Sequence, residues 1–285
     1  MIPKNAIAVK RWVPTWIKSW LRRRESPVLH RSQNQNIYHC TVQKSASQWI
    51  RAVLSDPRVY RYCGLRSYRY QDDLPGNHDP RKLTDRRFEK AFPRSTIATT
   101  IYIDYEGFAS IPKPAHYKAF FVMRDPRDVL VSWYYSSKFS HPLMGDLGRV
   151  RQDLTRLSEP EGLLYSIDYL ADFGLFAAQR SWAGAAIKDP SVLLVRFEDL
   201  IGEHALATFA QLLRHCDMRV PDDGLEAILA SYRFEELSGR QRGEEDRSAH
   251  YRKGVAGDWR NHFDETIDAR FEKVAEDLIS LWKYA

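Results

Sequence analysis

The chain has 285 residues, 44% hydrophobic and 13% aromatic, with a formal net charge of +6. That supports a sizeable core, as one large domain or one with appendages, and favours an anionic partner: nucleotide, nucleic acid, acidic sugar or lipid surface. Three widely spaced cysteines (Cys40, Cys63, Cys216) exclude a disulfide framework and a zinc pattern, and no apolar run approaches the roughly 18–20 residues that cross a bilayer.

In chain order, the first feature is "VKRWVPTWIKSWLRRR". Val13, Trp16, Ile17, Trp20 and Leu21 fall on one helical stripe surrounded by Lys10, Arg11, Lys18 and Arg22 to Arg24. Residues 10–24 are compatible with an interfacial helix on anionic membrane or with a helix resting on the domain itself. A secretory leader would need a longer apolar core and a small-residue cleavage site. The organisation expected is a basic amphipathic extension over 1–35 and a single domain over 36–285. The reduced thiols point to the cytoplasm, with membrane association left open.

Four apolar runs read as buried strands: 37–42, 95–103, 119–123 and 191–197. Helical patterns follow at 47–54, 128–137, 173–187, 205–215, 225–231 and 265–282. This alternation predicts an α/β domain with a parallel sheet covered on both faces. Residues 64–94 and 138–160 read as polar and loop-rich, the usual place for substrate loops. The tyrosines of "VYRYCGLRSYRY" suit core packing better than substrate stacking.

The stretch "IYHCTVQKSASQWIRAVL" is a strand, a polar turn and a helix. A helix start offers free N–H groups and the positive end of its dipole, and Lys44 adds a full charge. Ser45, Ser47 and Gln48 add donors. The site suits a terminal phosphate or sulfate, yet the turn has no glycine and no Walker pattern, which disfavours a magnesium nucleoside triphosphate. Two further stretches converge on the same chemistry. "FFVMRDPRDVLVSWYY" places Arg124 at a strand end and Ser132 about two turns into the next helix, where parallel-sheet sites open. "YRKGVAGDWRNHF" supplies Arg252, Lys253 and the backbone at Gly254 as an anion cradle.

These stretches resemble the signatures of the cytosolic-type sulfotransferases, which use 3′-phosphoadenosine-5′-phosphosulfate (PAPS). The first, PKSGTTW in the family, reads Gln43 to Trp49 here, with Ala46 for glycine and Gln48 for threonine. The second, RNPKDVxVSxY, corresponds to Arg124 through Tyr134, and the third, RKGxxGDWKNxF, to Arg252 through Phe263. A strand ending in YED corresponds to Phe197-Glu198-Asp199. The resemblance covers about residues 37–263. It implies an α/β, P-loop-like three-layer fold with a central parallel sheet flanked by helices, and transfer of a sulfuryl group from PAPS to a hydroxyl or amine acceptor, with PAP as product and no metal. By this likeness Lys44, Ser45, Ala46, Ser47 and Gln48 would hold the 5′-phosphosulfate, and Trp49 would stack on adenine. Arg124 and Ser132 would bind the 3′-phosphate with Arg252, Lys253 and Gly254. Phe197 and, by a looser match, Phe234 would line the adenine. Glycine is dispensable in the first signature if Ala46 reaches the required backbone geometry.

The chemistry expected is in-line displacement, with Lys44 stabilising the leaving phosphate and Ser132 completing the phosphate contacts. An acceptor hydroxyl also needs a base. The family places a histidine after the second strand, where this chain reads "TIATTIYIDYEGF". Asp104 lies nearest the expected place and Glu106 next, and a carboxylate would serve if burial raised its pKa. A cap or an arginine partner is the competing role for Asp104. His116 and His141 are further candidates, whereas His39 suits the core and His262 the frame of the third signature. The acceptor is a small molecule, lipid or carbohydrate, nucleic acid is not expected, and oligomeric state is unread. The rival readings are a PAPS/PAP- or polyanion-binding protein with altered catalysis and a nucleotide kinase.

Overall fold

The computed structural model describes residues 27–284, so the basic stripe at 10–24 lies outside the described residues. Residues 27–35 are hydrogen-bonded onto the domain: Leu29 N donates to Arg61 O (2.7 Å), Ser32 N to Cys63 O (2.8 Å) and Gln35 N to His116 O (2.8 Å). The strands are β1 (Asn36–Thr41), β2 (Arg66–Tyr68), β3 (Thr96–Tyr102), β4 (Tyr117–Met123) and β5 (Val192–Arg196). They form one sheet in the order β2-β3-β1-β4-β5 with every neighbouring pair parallel.

The longer helices are α1 (Ser47–Leu54), α2 (Tyr105–Ser110), α3 (Pro126–Tyr135), α4 (Leu147–Arg156), α5 (Glu159–Asp172), α6 (Leu175–Ser181), α7 (Ala205–His215), α8 (Asp222–Ser231) and α9 (Glu265–Ala275). Because side chains alternate along a strand, the sheet feeds two cores. Tyr38, Cys40, Ala98, Phe121 and Met123 face α3, α5, α6 and α9, while Ile37, Ile97, Phe120 and Val122 face α1, α7 and α8. Trp182 fills the first core, stacked 4.6 Å from Phe121 and donating from Nε1 to Ile103 O at 2.9 Å. His39 is a core histidine: fully buried, stacked on Phe120, with Nδ1 2.8 Å from Thr99 Oγ1.

The four expected strands and the three-layer α/β fold are present. Several expectations need correction. The edge strand β2 sits inside the polar stretch 64–94 and is only three residues long. Residues 138–160 are largely helical: α4 buries only Val150 and Leu154, a stripe too thin to read among its arginines, and α5 opens with a Ser158–Glu161 capping box. The pattern at 173–187 breaks at Gly174 and Gly184, both left-handed, and that at 265–282 breaks at Glu276 (φ 53°). Tyr70 is a core residue against Phe88, with ring centroids 5.0 Å apart. Topology sets the site. β1 and β4 lie side by side at the centre of the sheet, so the segments leaving their carboxyl ends meet over one crevice.

Candidate active site

The segment after β1 turns by placing two non-glycine residues in the left-handed region, Lys44 at φ 65° and Ala46 at φ 58°. Ala46 is the N-cap of α1 and its side chain caps nothing, so the first-turn N–H groups stay available to an anion. Ala46 thus adopts the geometry that the missing glycine would have supplied. Lys44 is half-buried, and among the described residues no ion pair is formed by it. Burial, helped by the neighbouring Arg124 and Arg252, lowers its pKa to about 8. Ser47 Oγ lies 2.8 Å from the Tyr102 hydroxyl, joining the loop to the end of β3.

At the end of β4, Arg124 donates from Nη1 to Lys44 O (3.0 Å), with its guanidinium 4.8 Å from the Phe197 ring centroid. Asp125 caps α3 and Pro126 takes its first position, so the helix axis starts beside Arg124. Asp128, 1% exposed, accepts Gly257 N (2.7 Å) through Oδ2 and Trp259 N (3.0 Å) through Oδ1. The Arg127 guanidinium stacks 3.8 Å from the Trp259 centroid. These contacts hold the segment after Tyr251 against α3. Within it, Arg252 pairs with Asp258 and Glu245, and Lys253 Nζ lies 2.5 Å from Asp258 Oδ1. Burial alone would raise the Asp258 carboxyl, but donors from His262, Lys253, Asn261 and Arg252 hold it far below the usual carboxylate range. His262 therefore serves the frame, with Glu159 as its second partner (2.6 Å). Gly254 is at φ +72°, and a Cβ there would meet Phe234 Cδ2 at 2.4 Å, so only glycine lets this backbone approach the ring.

Beside the cations lies an aromatic slot. Trp49 donates from Nε1 to Tyr232 O (2.8 Å) and stands edge-on to Phe197 at 6.4 Å. One cavity of about 220 Å³ joins slot and cations. It is lined by Lys44, Ala46, Ser47, Gln48 and Trp49 from the first signature, and by Arg124 and Ser132 from the second. Phe197, Phe234, Arg252, Lys253 and Gly254 complete the sequence-expected cofactor residues on it. Flat apolar walls beside the four signature cations suit a nucleotide with more than one phosphate. Among the described residues no cluster of three or more His, Cys, Asp or Glu is placed to hold a metal ion.

Four expected residues stand elsewhere. Ser45 is fully buried and does not line the cavity, and its Oγ has no protein partner among the described residues. Asp104 is 5% exposed and is the N-cap of α2, accepting Gly107 N at 2.7 Å and Arg87 Nη1 at 3.2 Å. Burial raises its pKa, its Oδ1 is engaged by the helix start and by Arg87, and it is not on the cavity wall. Glu106 is exposed and pairs with Arg87 at 3.6 Å. His116 also lies off the wall, whereas His141 is on it. Sequence reasoning missed Tyr102, Tyr135, His250 and Tyr251, which line the cavity too. Only the last two carried a signal, since they immediately precede Arg252.

Comparison with known proteins bears on the family and the fold. The family model described as the sulfotransferase domain matches residues 35–283. Human sulfotransferase 1E1 is 24% identical over 168 residues, which cover 55% of this chain and 53% of that protein; the match thus spans about half of the curated relative's length. The crystal structure of mouse sulfotransferase SULT7A1 complexed with PAP superposes with a TM-score of 0.52 at 17% identity, covering 90% of this chain and 91% of that one. Retinol dehydratase in complex with androsterone and inactive cofactor PAP gives 0.51 at 16% identity, over 86% and 80% of the two chains. These structural likenesses bear on the fold.

Proposed function

The chain belongs to the sulfotransferase-domain family, and from that premise we propose that it transfers a sulfuryl group from PAPS to a hydroxyl or amine acceptor. The observation that carries this reading is the convergence of Lys44, Arg124, Ser132, Arg252 and Lys253 from three separate segments onto one cavity with an aromatic slot. The residues present fit the nucleotide. Gly254 lines the cavity with its backbone packed on the Phe234 ring, and the first turn of α1 has unclaimed donors. PAPS supplies the activated sulfuryl group when bound.

In this reading Trp49, Phe197 and Phe234 hold the adenine, and Arg124, Ser132, Arg252, Lys253 and the Gly254 amide hold the 3′-phosphate. Lys44, Ser47 and the amides of Ala46 to Gln48 hold the 5′ end. Lys44 meets the charge that develops on the departing 5′-phosphate, and losing such a donor costs about 10²–10³ in rate. The retinol dehydratase structure that holds androsterone supports a small, largely apolar alcohol as acceptor. Calorimetric titration with 3′-phosphoadenosine-5′-phosphate tests the reading. One-to-one binding weakened at least tenfold by Lys44→Ala and by Arg252→Ala supports it, and absence of binding by the folded wild type refutes it.

A further inference from the structure

The proposed transfer needs a group that removes the acceptor proton, and the identity of that base is a question that rests on the sulfuryl-transfer reading. No aspartate or glutamate lines the cavity among the described residues, so the base belongs to another residue type. Burial pushes the phenols of Tyr135 and Tyr251 upward, away from deprotonation, and the hydroxyls of Tyr102 and Tyr232 are engaged with Ser47 Oγ (2.8 Å) and Asp56 Oδ2 (3.0 Å). Two histidines remain on the wall, His141 and His250.

Their settings differ. α3 does not stop at Tyr135 but continues as a π turn over Ser136–Ser140, closed by His141 N donating to Ser136 O at 2.7 Å. Such wide turns often mark functional sites. This one carries the face of Ser132, Tyr135, Ser136, Ser140 and His141 along the cavity wall. From α4, Arg151 holds the turn in place: its Nε donates to Ser137 O at 2.9 Å and its Nη2 to His141 O. The imidazole is oriented as well. Nδ1 lies 2.9 Å from Pro142 O, and a carbonyl can only accept, so Nδ1 carries the hydrogen and Nε2 keeps its lone pair. His250 is exposed, and among the described residues no hydrogen bond fixes its ring.

We propose that His141 is the general base of the transfer, with Nε2 receiving the acceptor proton. The acceptor oxygen forms a bond to sulfur while the bond from sulfur to the bridging oxygen breaks. That electron pair leaves on the 5′-phosphate, where Lys44 meets it, and the proton passes from the acceptor to Nε2 and on to water. The groups around the imidazole are Lys44 of the phosphate loop, Arg151 of α4, His78 of the 64–94 segment and His250 of the third-signature segment. Burial first, then Lys44, Arg151 and His78, lowers the His141 pKa below the ordinary 6.5, while its bond to Pro142 O opposes the shift. The base form therefore prevails at pH 7.

Two measurements on the full chain test this. Nitrogen NMR of histidine-labelled protein, assigned with His141→Gln, is expected to show an Nδ1–H tautomer that protonates below pH 6.5. An Nε2–H tautomer or a protonated ring at pH 7 overturns the proposal. The second is PAPS turnover with 2-naphthol or with water as acceptor, measured beside PAP calorimetry. His141→Gln should lose about 10²–10³-fold in kcat and the acid limb of the pH profile, while its PAP affinity stays within threefold. A His141→Gln rate within threefold of wild type, or a comparable loss confined to His250→Gln, refutes the base with the cofactor reading intact. A wild type that binds no PAP refutes both.

Discussion

Replacing Ala46 with glycine should reveal the backbone strain stored in the turn between β1 and α1. At φ 58° and ψ 22°, Ala46 sits where an L-residue with a Cβ costs roughly 1–2 kcal/mol over glycine. A bare Ala46→Gly measurement would mix that relief with the extra unfolded-state entropy of glycine and the loss of a half-buried methyl. Ala52 gives the matched control, because it is also half-buried and lies inside α1 with ordinary helical geometry. Ala52→Gly should cost about 1 kcal/mol. Ala46→Gly incurs similar losses but recovers the strain, so it should fall between neutral and about 1 kcal/mol stabilising. The two variants should therefore differ by roughly 1–2 kcal/mol. With a urea slope of about 3 kcal/mol/M, that separates their midpoints by roughly 0.3–0.7 M. Urea unfolding followed by tryptophan fluorescence reads this directly. Equal destabilisation by both changes would refute the strain argument.

Asp128→Ala should leave the amides of Gly257 and Trp259 without their buried acceptor, at about 1–3 kcal/mol each, and should loosen the segment that carries Arg252. Urea unfolding should show the loss and PAP calorimetry a weaker affinity; unchanged values in both would contradict the clamp. Gly254→Ala should weaken PAP binding more than tenfold, since the added methyl overlaps the Phe234 ring in a left-handed backbone, and calorimetry on the folded variant decides it. Lys44 gives a pH dependence. Its lowered pKa of about 8 in the free protein rises again beside phosphates, so binding takes up a proton above pH 8. PAP affinity should then fall by up to tenfold per pH unit above 8, with proton uptake visible in buffers of different ionisation heat, and Lys44→Gln should flatten the profile.

Much of the fold was legible because the strands of a doubly covered parallel sheet are buried on both faces and read as largely apolar runs, as in β1 and β4. What escaped lacked that signature: β2 is a three-residue edge strand among polar residues, and α4 buries a stripe of only two side chains. Most of the expected residues that line the cavity were legible because they fall in contiguous signatures. Asp104 was named for its closeness to a strand end, and "DYEGF" also carries the helix start that it caps, as Gly107 N on its carboxylate shows. His141 reaches the cavity through a π turn and an arginine from a later helix. Residues distant in sequence decide that placement, and no local pattern announces it.

The pairing of Arg252 and Lys253 with Asp258 bears on how a ligand is found. Two of the four signature cations over the crevice carry their counter-charge with them, and Arg124 has Asp128 at 3.8 Å. Seen from beyond a Debye length of about 8 Å, such pairs cast little field. Long-range steering is therefore weak, and a passing polyanion gains little from net charge alone. Discrimination falls to contacts made at close range, where a phosphate must share donors with a carboxylate that stays ionised. Association should run at an ordinary rate with a shallow dependence on salt, and a product held by shared donors is one the crevice can release.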